Sequence, residues 1–530
     1  MTSLAGTGTL FRLILRRDRV RIPLLVLVTF IVVAAGVPGL RDLYPTAEAR
    51  AQLARSVSGN PAFLAIYGPP TGFDGVGGIV AWRFGFFLLL IAGLAGMFMV
   101  IRHTRDEEEA GRADLTGSAV LGRHARLTAA LLAVGLLDLL LGVAIVIGML
   151  GSGEPLGAVL AFAAAIAGTG FLLAGVAAIA AQVTESARAA RGIAASAFGL
   201  LFALRAAGDA AGLAWLTWVS PLGWVERTRA FAGPRWWVIG LMLVTAVALA
   251  AAAAFLGARR DVGAGLVRPR PGPADAAPGL SSPLGLAWRL QRGSLIGWTI
   301  GFAWGGLLLG AIAEDVGDLV EGNQAIKDAL DQMGGAGALV DTYMSAVLGV
   351  MGLIAAGYAV SATLRLRSEE TETHAEVILA TGVSRWRWAG AHILIAALGT
   401  VVLMLTVGLV TGLVHGLRSG DLGGQLPGIL VSALVQVPAV WVVAGVTVAL
   451  FGLLPRLTVL AWVVLGVFLV MGQLGAVLGL SQGVLDISPF THPPRVPVAD
   501  FSATPVLWLT AVALALALAG LSGFRRRDLG

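Results

Sequence analysis

The residues that could do chemistry are few. The one lysine, Lys327, stands in NQAIKDAL. A phosphate loop needs a glycine frame closed by Lys and Ser or Thr, so that backbone N–H groups cradle the phosphates while the lysine reaches the β and γ positions. Lys327 has no such frame, and no hydrophilic stretch is long enough for a nucleotide-binding domain. Cysteine is absent, which excludes disulfides, thiolate zinc sites and thiol catalysis. The six histidines show no metal-ligand spacing, and no Ser-His-Asp arrangement is visible. The chain is therefore expected to be no enzyme and to hold no cofactor or metal of its own. Two charges inside apolar runs remain as candidate pathway residues. Asp138, in GLLDLLLG, suits proton or cation handling or a hydrogen-bonding helix contact. Arg83 either lines a vestibule or snorkels outward.

A second set of charges is arranged for docking rather than reaction. Arg105, Glu107, Glu108, Ala113, Asp114 and Arg123 match Arg367, Glu369, Glu370, Ala375, Glu376 and Arg385 without a gap. Ser220-Pro221 recurs as Ser488-Pro489, and Arg259-Arg260-Asp261 recurs as Arg526-Arg527-Asp528. The order is the same in both copies, as a tandem duplication requires. The loops read RDEEEAGRADLTGSAVLGRHAR and RSEETETHAEVILATGVSRWRW. Each opens with acids, as a helix N-terminus favours. Glu108 and Arg112, like Glu370 and His374, are spaced to meet on one helix face. Leu115, Val120 and Leu121, and Val377, Ile378 and Leu379, are expected to form apolar faces. Two similar knobs suit a symmetric dimeric partner; a lone loop of this kind would more simply be a solvated face.

The elements that position these loops are membrane spans. The chain is 57% hydrophobic and only 13% charged, with mean hydropathy +0.85, so lipid is its solvent. About twelve apolar runs reach or approach the roughly 20 residues a span needs, the fifth, Ile193–Leu204, being short. This predicts an all-α polytopic fold in two tandem six-helix halves, residues 1–266 and 284–530, joined by a Pro-rich cytoplasmic linker over 267–283. The net charge is +6, and the arginines cluster at span ends. That is the positive-inside pattern and not a nucleic-acid footprint, and it places both termini in the cytoplasm of a bacterial plasma membrane. Phe11, Arg12, Arg16 and Arg17 belong to a stretch suited to an interfacial helix or a plain basic anchor. Arg205 and Asp209 read as an intrahelical surface pair, and Leu213–Val225 as an interfacial or re-entrant piece.

The two loops, the opening LFRLILRRDRVRIP, the segment YPTAEARAQLARSVSGNPAFLAIYGPP, SPLGW and the terminal RRD together resemble ABC exporter permeases of the second type. The likeness covers essentially the whole chain and is strongest to fused actinobacterial permeases of the tetronasin kind, which export polyketide antibiotics. The resemblance implies that Arg105–Arg126 and Arg367–Trp388 are coupling helices. The residues it assigns to that contact are Arg105, Glu107, Glu108, Arg112, Asp114 and Arg123, then Arg367, Glu369, Glu370, His374, Glu376 and Arg385. Phe11, Arg12, Arg16 and Arg17 would form the elbow helix. It also implies two copies of a separate ATPase subunit that bind ATP and Mg, and an amphipathic small-molecule substrate. A proton-coupled transporter of the major facilitator kind shares the six-plus-six plan. It would need buried ionisable groups, and the loops lack its G-x-x-x-D-R-x-G-R pattern.

Overall fold

The computed structural model describes residues 3–59, 61–112, 121–267, 275–321, 335–474, 481–494, 496, 498 and 501–527. Among these the chain is all-helical, and eleven helices are long and apolar enough to cross a membrane. The chain divides into two compact units, Met1–Gly272 and Pro273–Gly530.

The first unit contains α1 (Thr7–Arg17), α2 (Arg21–Leu43), α3 (Ala47–Ser58), α4 (Pro61–Tyr67), α5 (Val76–His103) and α6 (Arg105–Glu109). It continues with α7 (Ala125–Met149), α8 (Leu156–Val183), α9 (Ala187–Ala210), α10 (Ala214–Val219), α11 (Gly223–Arg227) and α12 (Trp236–Gly257). Helix α8 is almost wholly Ala, Gly, Val and Leu, and it packs against α5, α7 and α12. Where lipid is as apolar as leucine, such small residues hold helices together by letting backbones come close.

The second unit contains α13 (Pro283–Glu321), α14 (Gly335–Thr371), α15 (His374–Leu379), α16 (Arg385–Arg418), α17 (Leu422–Leu434) and α18 (Val437–Leu453). After these come α19 (Leu460–Leu474), α20 (Gln482–Leu485) and α21 (Ala503–Arg526). Its neighbours repeat those of the first unit. Helix α13 packs on α16 as α2 packs on α7, and α18 packs on α14 and α21 as α8 packs on α5 and α12.

Two expectations need correction. The fifth run is a full helix, Ala187–Ala210, because its flanking charges are satisfied by protein and do not end the span. Arg205 and Asp209 do pair at 3.6 Å, but both side chains are buried, so they are no surface pair. The eleventh run is described only as α19, its last residues lying outside the described set, as do Asp114 and the apolar residues Leu115 and Val120. Residues 322–334, with Lys327 among them, also lie outside it.

Candidate functional site

The charged loop after the second span of the first unit is a hub in which consecutive side chains tie different elements. Arg105 is wholly buried. Its guanidinium donates to the Ala181 carbonyl at 2.6 and 2.9 Å, at the C-terminal end of α8, and to the Gly263 and Ala264 carbonyls of the unit's tail at 3.3 and 3.1 Å. A cation at the negative end of a helix is favourable and satisfies carbonyls that would otherwise be left over. Asp106 pairs with Arg191 of α9. Glu109 accepts the Ala187 N–H at 2.8 Å, at the N-terminus of the same helix. Glu107 holds Arg17 of α1 at 2.8 Å. Glu108 receives both arms of Arg260 at 2.8 Å, with Arg105 at 3.0 Å. Fork-to-fork pairing of this kind is directional as well as strong.

Helix α1 is fastened to both ends of the loop. Ile14 is its buried anchor, while Arg12 and Arg16 face outward and Phe11 is half-buried. Asp18, which caps α1, is buried against His103 and Arg102, each at 2.5 Å. Burial alone would raise the Asp18 carboxyl, but the bonds from His103 and Arg102 outweigh it and hold it below the usual carboxylate range. The far end of the loop is held by the Gly122 N–H on the Ala5 carbonyl at 2.8 Å and the His124 N–H on the Ser3 carbonyl at 3.0 Å. Sequence reasoning passed over Asp18. Its signal was a lone acid inside the basic run RLILRRDRVR.

The second loop repeats the central tie. Glu370 pairs with Arg527, as Glu108 pairs with Arg260, and also with Arg367 at 2.9 Å. Arg527 donates to the Phe451 carbonyl at 3.2 Å and lies over the Phe451 and Phe524 rings. Arg385 donates to the Phe524, Arg525 and Arg527 carbonyls at 3.2, 3.2 and 2.5 Å, capping α21. Arg123, its counterpart in the first loop, is exposed. Glu369 is buried and pairs with Arg365 at 2.5 Å. Trp388, Phe451 and Phe524 form a buried aromatic core beneath the second loop, where the first relies on ion ties.

The spacing of four misleads at both loops. Arg112 meets Glu107 at 2.9 Å and not Glu108. His374 lies 3.4 Å from Glu369, while Glu370 is taken by Arg367 and Arg527. The reason is a break in the helix: Gly111 has φ 67°, and its counterpart Thr373 has φ 61°. A left-handed residue suits glycine and strains a β-branched threonine, so the turn is retained at some cost. The expected apolar face also turns differently. Ala375 is buried and Ile378 and Leu379 pack inward, but Val377 is 70% exposed. The outer ridge of the second loop is thus Glu372, Thr373, His374, Glu376 and Val377.

The candidate pathway residues do not join the loops. Asp138 is buried against α8, where a Cβ at Gly170 would lie 2.6 Å from its Oδ1, and neither of its oxygens has a hydrogen bond among the described residues. Arg83 is exposed, donates to the Tyr67 hydroxyl at 2.8 Å and lies over that ring.

Elsewhere, Arg205 of α9 bonds Glu226 of α11 at 2.7 Å and the carbonyls of Ala65 and Ile66 of α4. Burial, eased by Arg205 but reinforced by the neighbouring Asp209, pushes the Glu226 carboxyl up to about 8. The folded state therefore binds a proton there that the unfolded chain releases above its ordinary carboxyl range. This contribution to stability is complete below pH ~4.3, fades as pH rises, and is gone above about 8. Glu226→Gln is expected to remove a downward slope of up to about 1.4 kcal/mol per pH unit between those limits. Thermal unfolding of both proteins across pH 4 to 9 checks this, and parallel profiles would refute it.

Residues 280–525 match the family model of the C-terminal domain of the multidrug efflux system permease Rv1217c. The chain is 45% identical over 524 residues to the multidrug efflux system permease protein Rv1217c of Mycobacterium tuberculosis (strain ATCC 25618 / H37Rv). That match covers 99% of this chain and 95% of the relative.

Proposed function

The chain belongs to the family of the multidrug efflux system permease Rv1217c, and from that membership we propose that it is the permease of an ATP-driven exporter of the second ABC type, carrying amphipathic small molecules such as antibiotics out of the cell. It is a multi-pass membrane protein. In this reading the arginine-rich ends face the cytoplasm of a bacterial plasma membrane, with both termini on that side. The engine is a separate ATPase, bound in two copies, which holds ATP and Mg. The observation that carries the reading is the duplicated tie Glu108–Arg260 and Glu370–Arg527, which fastens each loop to the end of its own bundle.

The burial pattern divides the labour among the residues. Arg105, Glu108, Glu369 and Glu370 are turned inward, so they transmit force and do not touch a partner. Arg112, His374, Glu376 and Val377 are exposed and offer the contact. When the ATPase dimer closes on ATP, force on an exposed ridge passes through the buried ties to the last helix of that unit and to α1 or α14. A rigid linkage of this kind is what two distant sites need if they are to share one two-state change.

Val377→Asp puts a charge on the ridge of the second loop. An exposed substitution of this type leaves fold stability within about 0.5 kcal/mol. Efflux and substrate-stimulated ATP hydrolysis, measured with the co-purified ATPase in proteoliposomes, are expected to fall by about tenfold or more. Full stimulation by the Val377→Asp protein would sink the docking assignment. Efflux that survives an inactive ATPase but collapses with the proton gradient would sink the ATP-driven reading.

A further inference from the structure

At the basic end of the first unit, a polar cavity and an apolar groove adjoin. The cavity, roughly 450 Å³, lies between α1, the end of the charged loop and the ends of α7, α8 and α12. Its charged lining includes Glu108 and Arg260, which neutralise each other. The other charges of the lining are Arg123, Arg126 and Asp261, with His124 beside them. The N-terminus of α7 opens into the same space with no acid in its first turn and no side chain capping it. Its positive end therefore adds to the arginines.

The groove, roughly 510 Å³, begins where the cavity ends, because Leu127 and Ala254 line both. It runs along α7 from Leu127 to Leu139, with Phe171 of α8 between α7 and α12. Twelve residues of helix span about 18 Å, more than half the thickness of one bilayer's hydrocarbon core. Leu132 and Leu139 on its rim are more than half exposed, as residues facing lipid would be.

We propose that this combined site holds one anionic phospholipid of the inner leaflet, its phosphate between Arg123 and Arg126 and an acyl chain in the groove beside Gly135 and Phe171. A basic pocket set among span ends recognises an anionic head group as a charge. An apolar channel continuous with it recognises the rest of the same molecule, which a free anion lacks. The lipid would buttress the cavity wall that carries Glu108 and Arg260. Its placement in the inner leaflet rests on the orientation adopted above, but the binding itself needs neither the ATPase nor ATP.

The test uses the full-length permease alone, purified in detergent and exposed to nanodiscs of phosphatidylglycerol or of phosphatidylcholine. Retained lipid is counted by native mass spectrometry. One phosphatidylglycerol per chain is expected, with phosphatidylcholine retained about tenfold less. The double variant Arg123→Gln with Arg126→Gln removes the phosphate contact. Gly135→Leu fills the groove without touching charge, since a Cβ there meets only the Phe171 ring at 3.7 Å. Both are expected to lose the retained phosphatidylglycerol, while Arg289→Gln in the second unit keeps it. Equal retention of both lipids, or retention unchanged in both variants, overturns the proposal. So does displacement by millimolar glycerol phosphate, which would reduce the site to an anion pocket. A failure here leaves the docking assignment intact, because no step of the assay involves the ATPase.

Discussion

Glu108→Ala is expected to destabilise the protein by about 3–5 kcal/mol, the range found when one partner of a buried ion pair is removed. The magnitude follows from what stays behind. Arg105 is fully buried, and the Arg260 side chain is 8% exposed, so neither can turn to water when the carboxylate goes. Arg105 keeps its bonds to the Ala181, Gly263 and Ala264 carbonyls, but these are neutral acceptors and leave two positive charges facing each other. Glu108→Gln retains shape and one acceptor and should fall between alanine and wild type. The double variant Glu108→Ala with Arg260→Ala should recover part of the loss, since the more exposed of the two orphaned cations is then gone as well. A coupling of about 2 kcal/mol in that cycle is the expected signature of direct contact. Glu107→Ala supplies the contrast. Its partners Arg17 and Arg112 are 36% and 50% exposed, and such pairs contribute about 0–1 kcal/mol. Unfolding by heat in a fixed detergent ranks the series. A Glu108→Ala protein within about 1 kcal/mol of wild type would mean that the loop is not clamped as described.

The contrast between Glu107 and Glu108 also shows how far the sequence could be read. Repeated charges at fixed spacing located both loops, because charges are scarce in this chain and a chance match among them is improbable. Which way each charge points was not legible. An acid that solvates a surface and an acid that closes a buried clamp are the same letter, and only Arg260, 152 positions away, separates the two cases. The pairing of Arg112 was misread for a local reason. A spacing of four assumes an unbroken helix, and Gly111 breaks it. Thr373 hides the same break, since threonine carries no signal for a left-handed turn. Hydropathy likewise shortened α9, whose flanking arginines look like span ends until Asp106 and Glu226 are found to hold Arg191 and Arg205. The all-helical, duplicated architecture was legible because it rests on composition and order, which do not depend on side-chain direction.

Gly520→Ala is expected to do damage well beyond its single methyl group, because it lies where α21 crosses α18 at backbone contact. A Cβ at Gly520 would overlap the Val448 carbonyl and lie 2.7 Å from the Ala449 nitrogen. A Cβ at Gly452 on the facing helix would overlap the Gly520 carbonyl. These are main-chain atoms, so no side chain can swing aside, and the helices must separate. Overpacking of a well-packed site usually costs about 1–3 kcal/mol, and here a second loss follows from connectivity. Arg527 stands seven residues beyond Gly520, and its contact with Glu370 and with the Phe451 carbonyl requires α21 to keep its register on α18. A displaced α21 therefore opens the second loop's clamp as well, and the combined effect should exceed about 3 kcal/mol. Gly466→Ala, where a Cβ meets nothing within 4 Å, is the matched control and should be harmless. Because the chain has no cysteine, spin labels at Leu453→Cys and Leu518→Cys, both more than half exposed, report the α18–α21 separation without background. Gly520→Ala should lengthen and broaden that distance and lower the unfolding temperature together. An unchanged distance with an unchanged unfolding temperature would show that the crossing is looser than its glycines imply, and the link from the last helix to the second loop would then have to be abandoned.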